Sequence, residues 1–539
     1  MGWSSQFIEQ LKKRSIVPRY RLRFLFIGPN APILGNLVIS SDDSSVPGNP
    51  RILKTGVRVQ GTRVTPQTWQ VSFGGFSLAI VGDTRIFNKQ LSRGRFARLE
   101  CDIGTGFETI AWGQMKSARK EGPITYLQFA DPISSLQSGV DADTQLTSPG
   151  SSTSQPSTMM RGLGYSDSIT ADFAVATDTE LYVNTVSIYE RETGKDGLSR
   201  LTNGTNTYYL NWTGKGANYL TVNGVRRYPS IGSLGELTTA NGIVTPVALL
   251  HDFPGDILGK IIMSTGTGAN GSFDRYPAQW SINASVGSFA FDHIDSNWQK
   301  RKILTLENQD PSYKWMVPIE SEWPNGLREF CNLSQLCGIW PVFRQGKISI
   351  RGCVDPYGPS QYNNVVDPIS IVDSDIQAVV SHDLFNTQNA NIYVVSNMTY
   401  GQDVGSDPVN QNISGIIPKA KSLPILNSID RNNTFKYDGS PYTAMATRLK
   451  HASADQYRML GYDNYTNEIL TLDLDIRFAI LCAGDLVSIT SDLLYGLCEG
   501  SGETFANRIG MVISSQFDIG QQKTTISISI LPTNNYRNG

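Results

Sequence analysis

The sequence predicts a large, multidomain, mainly β protein with a few α-helices (α+β): two tube-like antiparallel β-barrels, one at each end, flank inserted α+β domains. Composition gives the first reason. Charged residues are 17% and glycines number 50 of 539, fewer charges than solvated helices carry and more turn-forming glycine than an average domain. The second is the 10% of aromatic residues, several in alternating runs that suit a pleated strand. The third is an internal repeat. Arg93-Gly-Arg-Phe-Ala-Arg-Leu-Glu-Cys101, then Ala111-Trp-Gly-Gln-Met-Lys116, a Gly122 turn and Ile124-Thr-Tyr-Leu-Gln-Phe129 have a counterpart near the other end. It reads Ala483-Gly-Asp-Leu-Val-Ser-Ile-Thr-Ser491, then Arg508-Ile-Gly-Met-Val-Ile-Ser514, a Gly520 turn and Thr524-Thr-Ile-Ser-Ile-Ser-Ile530. A glycine inside a strand marks a bend or bulge, which a small barrel needs to close. Residues 16–135 and 465–535 are therefore expected to form similar antiparallel barrels.

In chain order, Ser5 to Arg14 forms a short amphipathic helix with Phe7, Ile8 and Leu11 on one face and Ser5 as its cap. Tyr20, Leu22, Phe24 and Phe26 alternate with Arg21 and Arg23 as a strand, and the alternation recurs through Val71 to Val81, Arg95 to Cys101 and Ile124 to Phe129. Residues 1–135 make the N-terminal helix and barrel. Residues 136–165, rich in Ser, Thr, Pro and Gln, form a linker or surface loop, because they cannot bury enough apolar surface to order themselves. Residues 166–250 form a β-rich insert, whose Asn223-Gly224 supplies a two-residue hairpin turn.

Residues 251–400 form an α+β domain. It contains helical spacing at Ile257, Leu258, Ile261 and Ile262, a helix from Pro324 to Cys337 stopped by Gly338, and a hairpin turning at Gln345-Gly346. Residues 401–440 are a Gly/Asn/Pro-rich loop. Residues 441–539 supply a helix from Tyr442 to Leu460 and the C-terminal barrel.

Several function classes are excluded early. Lys+Arg 46 against Asp+Glu 48 leaves a net charge of −2, so the broad basic field of a nucleic-acid binder is missing. No apolar run reaches the ~20 residues of a membrane span. The basic residues Lys12, Lys13 and Arg14 follow the first apolar cluster, the reverse of a secretory signal. Six cysteines are too sparse for a disulfide scaffold and read as reduced, buried thiols.

The motif search assigns no catalytic, cofactor-binding or metal-ligating residue, and the chain is read as not an enzyme. Gly266-Thr-Gly-Ala-Asn-Gly271 has dinucleotide spacing, but a helix precedes it where a strand is required. His251, His293, His382 and His451 form no i, i+4 pair. Ser77 in Gly75-Phe-Ser77 lies in strand-like sequence, without the strand-to-helix turn of a nucleophile elbow. Cys331, Cys337 and Cys353, with Cys482 and Cys498, lack the C-x2-C steps of a metal quartet, so neither zinc nor iron is expected. Glu320 and Glu322 precede the Pro324 helix, where acidic side chains favour its dipole. Tyr208, Tyr209, Trp212, Tyr219 and Tyr228 suit strand packing as well as a sugar-stacking face.

Three stretches carry a family resemblance. They are Val247 to Trp280 with Phe273-Asp-Arg-Tyr-Pro277, then Pro324 to Ile350, and the Tyr442–Leu460 helix leading into Ala483-Gly-Asp-Leu-Val-Ser-Ile-Thr490. Their order resembles the baseplate or tail-tip hub proteins of tailed bacteriophages, shared with gene transfer agents and contractile injection systems. The resemblance implies a structural virion protein made in the host cytoplasm: a homotrimer contributing two barrels per subunit. It would match a sixfold tail tube above and a threefold tip or fibre below, with DNA passing through its lumen unbound. Its partners would be the distal tail or tube protein and the tip protein. The alternative is a β-rich carbohydrate-binding distal-tail or tail-fibre adaptor; a third reading is a glycoside hydrolase.

Overall fold

Tyr20, Leu22 and Phe24 are buried while Arg21 and Arg23 between them stay half-exposed, so one face of the strand is apolar and the other charged. The computed structural model describes residues 3–13, 15–25, 38–42, 50–65, 70–82, 96–131, 167–175, 177–189, 197–204, 207–222, 236–252, 315–319, 339–352, 368–383, 392–399, 413–415, 428–437, 468–495 and 504–530. Among them the protein is mainly β, built in several sheets.

Helix α1 (Ser5–Leu11) opens the chain. Its cap is Ser4 rather than Ser5: Ser4 is extended, and its Oγ accepts from the Phe7 N–H at 3.1 Å. The helix also stops short of Arg14, because the Lys12 and Lys13 N–H groups bond back to Glu9 and Gln10 in a tightened last turn.

Ten strands follow: β1 (Arg19–Leu25), β2 (Val38–Ser40), β3 (Arg51–Ile52), β4 (Arg58–Gln60), β5 (Arg63–Thr65), β6 (Gln70–Ser72), β7 (Gly75–Val81), β8 (Phe96–Asp102), β9 (Glu108–Glu121) and β10 (Ile124–Ala130). Pairing runs β10-β9-β8-β1-β2-β3-β7 and returns from β7 to β10, a closed circuit. The run Val71 to Val81 is two strands, not one. Its backbone breaks at Gly74-Gly75, where Gly75 has φ +149° and a Cβ would collide with the Phe129 carbonyl.

The second group is β11 (Asp167–Ser168), β12 (Phe173–Ala174), β13 (Glu180–Tyr182), β14 (Gly197–Thr202), β15 (Thr207–Lys215), β16 (Tyr219–Val222), β17 (Glu236–Leu237), β18 (Ile243–Asp252) and β19 (Trp315–Ile319). One sheet orders β11-β18-β14-β15-β16-β13 with β19 beside β18, over a core that includes Phe173, Tyr189 and Trp212. The hairpin β20 (Ile339–Arg344) and β21 (Lys347–Gly352) turns at Gln345 and Gly346, both with positive φ, as a tight two-residue turn requires.

The last group is β22 (Ile369–Val372), β23 (Ile376–Asp383), β24 (Ile392–Thr399), β25 (Ile413–Gly415), β26 (Ser428–Tyr437), β27 (Ile469–Asp475), β28 (Leu486–Tyr495), β29 (Thr504–Asp518) and β30 (Lys523–Ile530). Pairing runs β22-β28-β29-β30-β27-β23, and the Asp373–Asp375 turn joins β22 directly to β23. Each circuit departs from a purely antiparallel pattern by one parallel pair, β2–β3 in the first and β22–β28 in the second. The helices expected at 257–262, 324–337 and 442–460, and the Asn223-Gly224 turn, lie outside the described residues.

Candidate assembly site at the repeat junction

The four strands β7, β8, β9 and β10 pair in the order β7-β10-β9-β8, and β27, β28, β29 and β30 pair in the order β27-β30-β29-β28, all antiparallel. Their registers coincide residue by residue. Gly113 lies opposite Ala97, and Gly510 opposite Val487. Three positions after each glycine the strand carries one unpaired residue: Lys116 between Met115↔Phe129 and Ser117↔Gln128, and Ile513 between Val512↔Ile528 and Ser514↔Ser527. Such a bulge turns the strand and increases its twist.

Across the closing pair, Phe76↔Phe129, Leu78↔Leu127 and Ile80↔Thr125 correspond to Leu470↔Ile528, Leu472↔Ile526 and Leu474↔Thr524. All twelve are buried. The Asp131 N–H donates to the Gly74 carbonyl at 3.0 Å, as the Ile530 N–H donates to the Glu468 carbonyl at 2.9 Å. The two glycines share one cause. A Cβ on Gly113 would strike the Ala130 carbonyl oxygen, and one on Gly510 would strike Ile528 Cγ2, each inside the neighbouring final strand.

The repeats meet edge to edge. Strand β4 pairs with β7 on one side and β29 on the other, with Val59 opposite both Phe76 and Phe517. The Gly61 N–H donates to the Ser515 carbonyl at 2.8 Å. Trp3 packs edge-on against Phe517 at 5.7 Å, and its Nε1 donates to the Thr109 carbonyl at 2.9 Å, so the chain's start ties both repeats together.

The hairpin β20–β21 covers this region from the second repeat's side. Buried Trp340 and Val342 join Val64 of the first repeat and Cys482, Ala483, Leu486, Met511 and Ile513 of the second in one core cluster. Trp340 Nε1 donates to the Ala483 carbonyl at 3.3 Å, and Arg351 Nε meets Asp485 Oδ1 at 2.9 Å. Burial acts to raise the Asp485 carboxyl, but the Arg351 and Arg344 guanidiniums and the Cys482 N–H outweigh it and hold the carboxyl below its usual range. A depressed carboxylate adds stability that is present above its unfolded value near ~4 and is lost as pH falls through the folded value. Arg351→Met removes the guanidinium in direct contact with that buried charge and leaves it the more distant Arg344 and the Cys482 N–H. It is expected to cost about 3–5 kcal/mol at pH 7 and to flatten the loss of stability as pH falls below ~4, read from urea unfolding midpoints.

The residues singled out by motif that lie among the described ones sit in strands and cores. Ser77 sits within β7 opposite Gln128 and Arg58. Cys101 and Cys482 are buried free thiols; burial, then Asp485, pushes Cys482 up to about 11. His382 Nε2 is 2.6 Å from Oε1 of buried Glu468, a pairing of sequence-distant residues that spacing alone does not reveal. Trp212 is in the core of the middle sheet, not on a sugar-stacking face, while Tyr219 packs against Tyr182 at 5.4 Å. Tyr208 and Tyr209 lie on β15, and His251 on β18.

His293, His451, Cys331, Cys337, Cys353, Cys498, Glu320, Glu322, Tyr228 and residues 266–271 lie outside the described residues. Among the described residues no group of three His, Cys, Asp or Glu side chains is placed to hold a metal, and no helix is long and apolar enough to cross a membrane.

No family model matches the chain, and no curated protein matches it. Among solved structures it is similar to the 43 kDa tail protein of prophage MuSo2 from Shewanella oneidensis, at 9% identity and TM-score 0.37, covering 95% of this chain and 98% of that one. It is also similar to the prophage tail protein gp18 from Listeria monocytogenes EGD-e, at 8% identity and TM-score 0.36, covering 95% and 94%. The virion of a native gene transfer agent particle aligns with 45% of this chain and 84% of its own, at 9% identity and TM-score 0.15.

Proposed function

We propose that this chain is a structural virion protein of a phage-type tail: a tail-tip or baseplate hub subunit whose two barrels occupy successive places in a ring. The observation that carries the reading is the shared register of β7–β10 and β27–β30, including the glycine and the bulge after it. A protein that must meet sixfold symmetry with three subunits needs two equivalent modules per chain, joined side by side as β4 joins β29. In this role the subunit is a homotrimer, with the tube or distal tail protein above, the tip or fibre protein below, and DNA passing through the lumen without specific contacts. Its work is assembly rather than catalysis.

Light scattering of the purified full chain tests this, with class averages from negative-stain images. The expected particle has three times the chain mass and a ring of six similar lobes. A protein that stays monomeric at every concentration, or a ring whose lobes do not number six, would falsify the reading.

A further inference from the structure

The chain uses one edge of each repeat at its internal junction. Among the described residues, the corresponding edge of the other repeat has no strand beside it. The shared register identifies both open edges. Arg58, Val59 and Gln60 of β4 face Ser77, Phe76 and Gly75 of β7; their counterparts facing Thr471, Leu470 and Ile469 of β27 are Ser381, His382 and Asp383 of β23. The far half of β29, Ile513–Asp518, which receives β4, corresponds to Lys116–Glu121 of β9. Among the described residues β23 pairs only with β27, and residues 115–121 pair only with β10.

Burial separates the used from the unused edge. Ile513–Asp518 are buried or half-buried, whereas every residue from Lys116 to Glu121 is exposed. Val57, just before β4, is 1% exposed, while Val380, its counterpart in β23, is 55% exposed beside Val379 at 46%. An edge with free N–H and C=O groups and uncovered valines invites another strand.

We propose that these two edges pair with each other between copies of this chain. Strand β23 of one subunit lies beside β9 of the next in the geometry that β4 and β29 adopt within the chain. The internal pairs Val59↔Phe517 and Gln60↔Gln516 translate into His382 opposite Lys120 and Asp383 opposite Arg119. Charge favours this partner: Lys116, Arg119 and Lys120 outnumber Glu121, which pairs with Arg119 at 2.6 Å, and approach an edge carrying Asp383, with buried Glu468 behind His382. Because two different edges meet, the contact is head-to-tail and closes a ring when its rotation matches that of the internal junction. This inference rests on the ring reading above and names the surfaces that close it.

The test uses the full chain carrying Arg119→Cys with Asp383→Cys, purified reduced and then mildly oxidised. Directly opposed strand residues lie within disulfide reach. The double variant is expected to give a covalent ladder ending at the chain number of the ring, an equal mixture of the two single variants only linked dimers, and each single variant alone no link. A link within one single variant would mean a like-with-like contact and would overturn the proposal. A ring of unchanged mass by light scattering with no link in the double variant would overturn this edge pairing while leaving the ring intact. A monomer under all conditions would overturn both.

Discussion

Replacing Gly113 with valine is expected to destabilise the first repeat by about 3 kcal/mol or more, at the upper end of overpacking effects. A side chain at Gly113 meets the Ala130 carbonyl oxygen, and Phe129 Cβ lies 3.2 Å from the added atom. That obstacle is backbone held in a closed circuit, so it cannot rotate away, and β10 must separate from β9. At Gly510 the first atom met is Cγ2 of Ile528, with the Ser529 carbonyl oxygen at 3.2 Å, so part of the clash can be relieved by a rotamer shift. Gly510→Ala should therefore cost less than Gly113→Ala. Urea unfolding of both variants measures the difference, and an equal or reversed order would show that Ile528 cannot yield by a rotamer shift.

Ile528→Asp is expected to be the most damaging single change, abolishing the folded second repeat. Ile526 and Ile528 are fully buried among Leu470, Leu472, Phe505 and Val512. A carboxylate there has no partner, and unpaired buried charge with a lost aliphatic side chain exceeds about 4 kcal/mol. Loss of the near-ultraviolet circular dichroism of the folded chain is the expected readout, with loss of the ring proposed above. Ser527→Asp, on the half-exposed face of the same strand, should leave both largely intact. A soluble Ile528→Asp chain that still forms rings would refute the packing described for β30.

The glycine spacing made the repeat legible in sequence because a close backbone approach leaves a mark no other residue can supply. Gly113 and Gly510 sit in the same apolar-Gly-x-apolar frame, and the alternating strand after each turn is long enough to recognise. The Gln345-Gly346 hairpin was legible for a related reason, its demand for positive φ. The junction was not. Strand β4 has three residues, carries no periodicity of its own, and finds its partner at the far end of the chain. The Gly74-Gly75 break was hidden inside a run that alternates correctly on both sides, and the His382–Glu468 pair joins residues with no sequence relation. The sequence marks the two repeats by their glycines and alternating strands but carries no mark of which edges they share.

The pairing of β4 with β29 also constrains the order of events during synthesis. Its partners are separated by roughly 450 residues, and such non-local contacts form late. A ribosome adding ~5–20 residues per second needs roughly 20–90 s to deliver β29 after β4 has emerged. For that interval the outer edge of β4 stands open beside the identical edges of neighbouring nascent chains. Trp3, made before either repeat, is finally clasped against Phe517 of β29, so a strand made late locks a segment made early. Until the internal junction closes, the unfilled edge of β4 offers one nascent chain a place to pair with another.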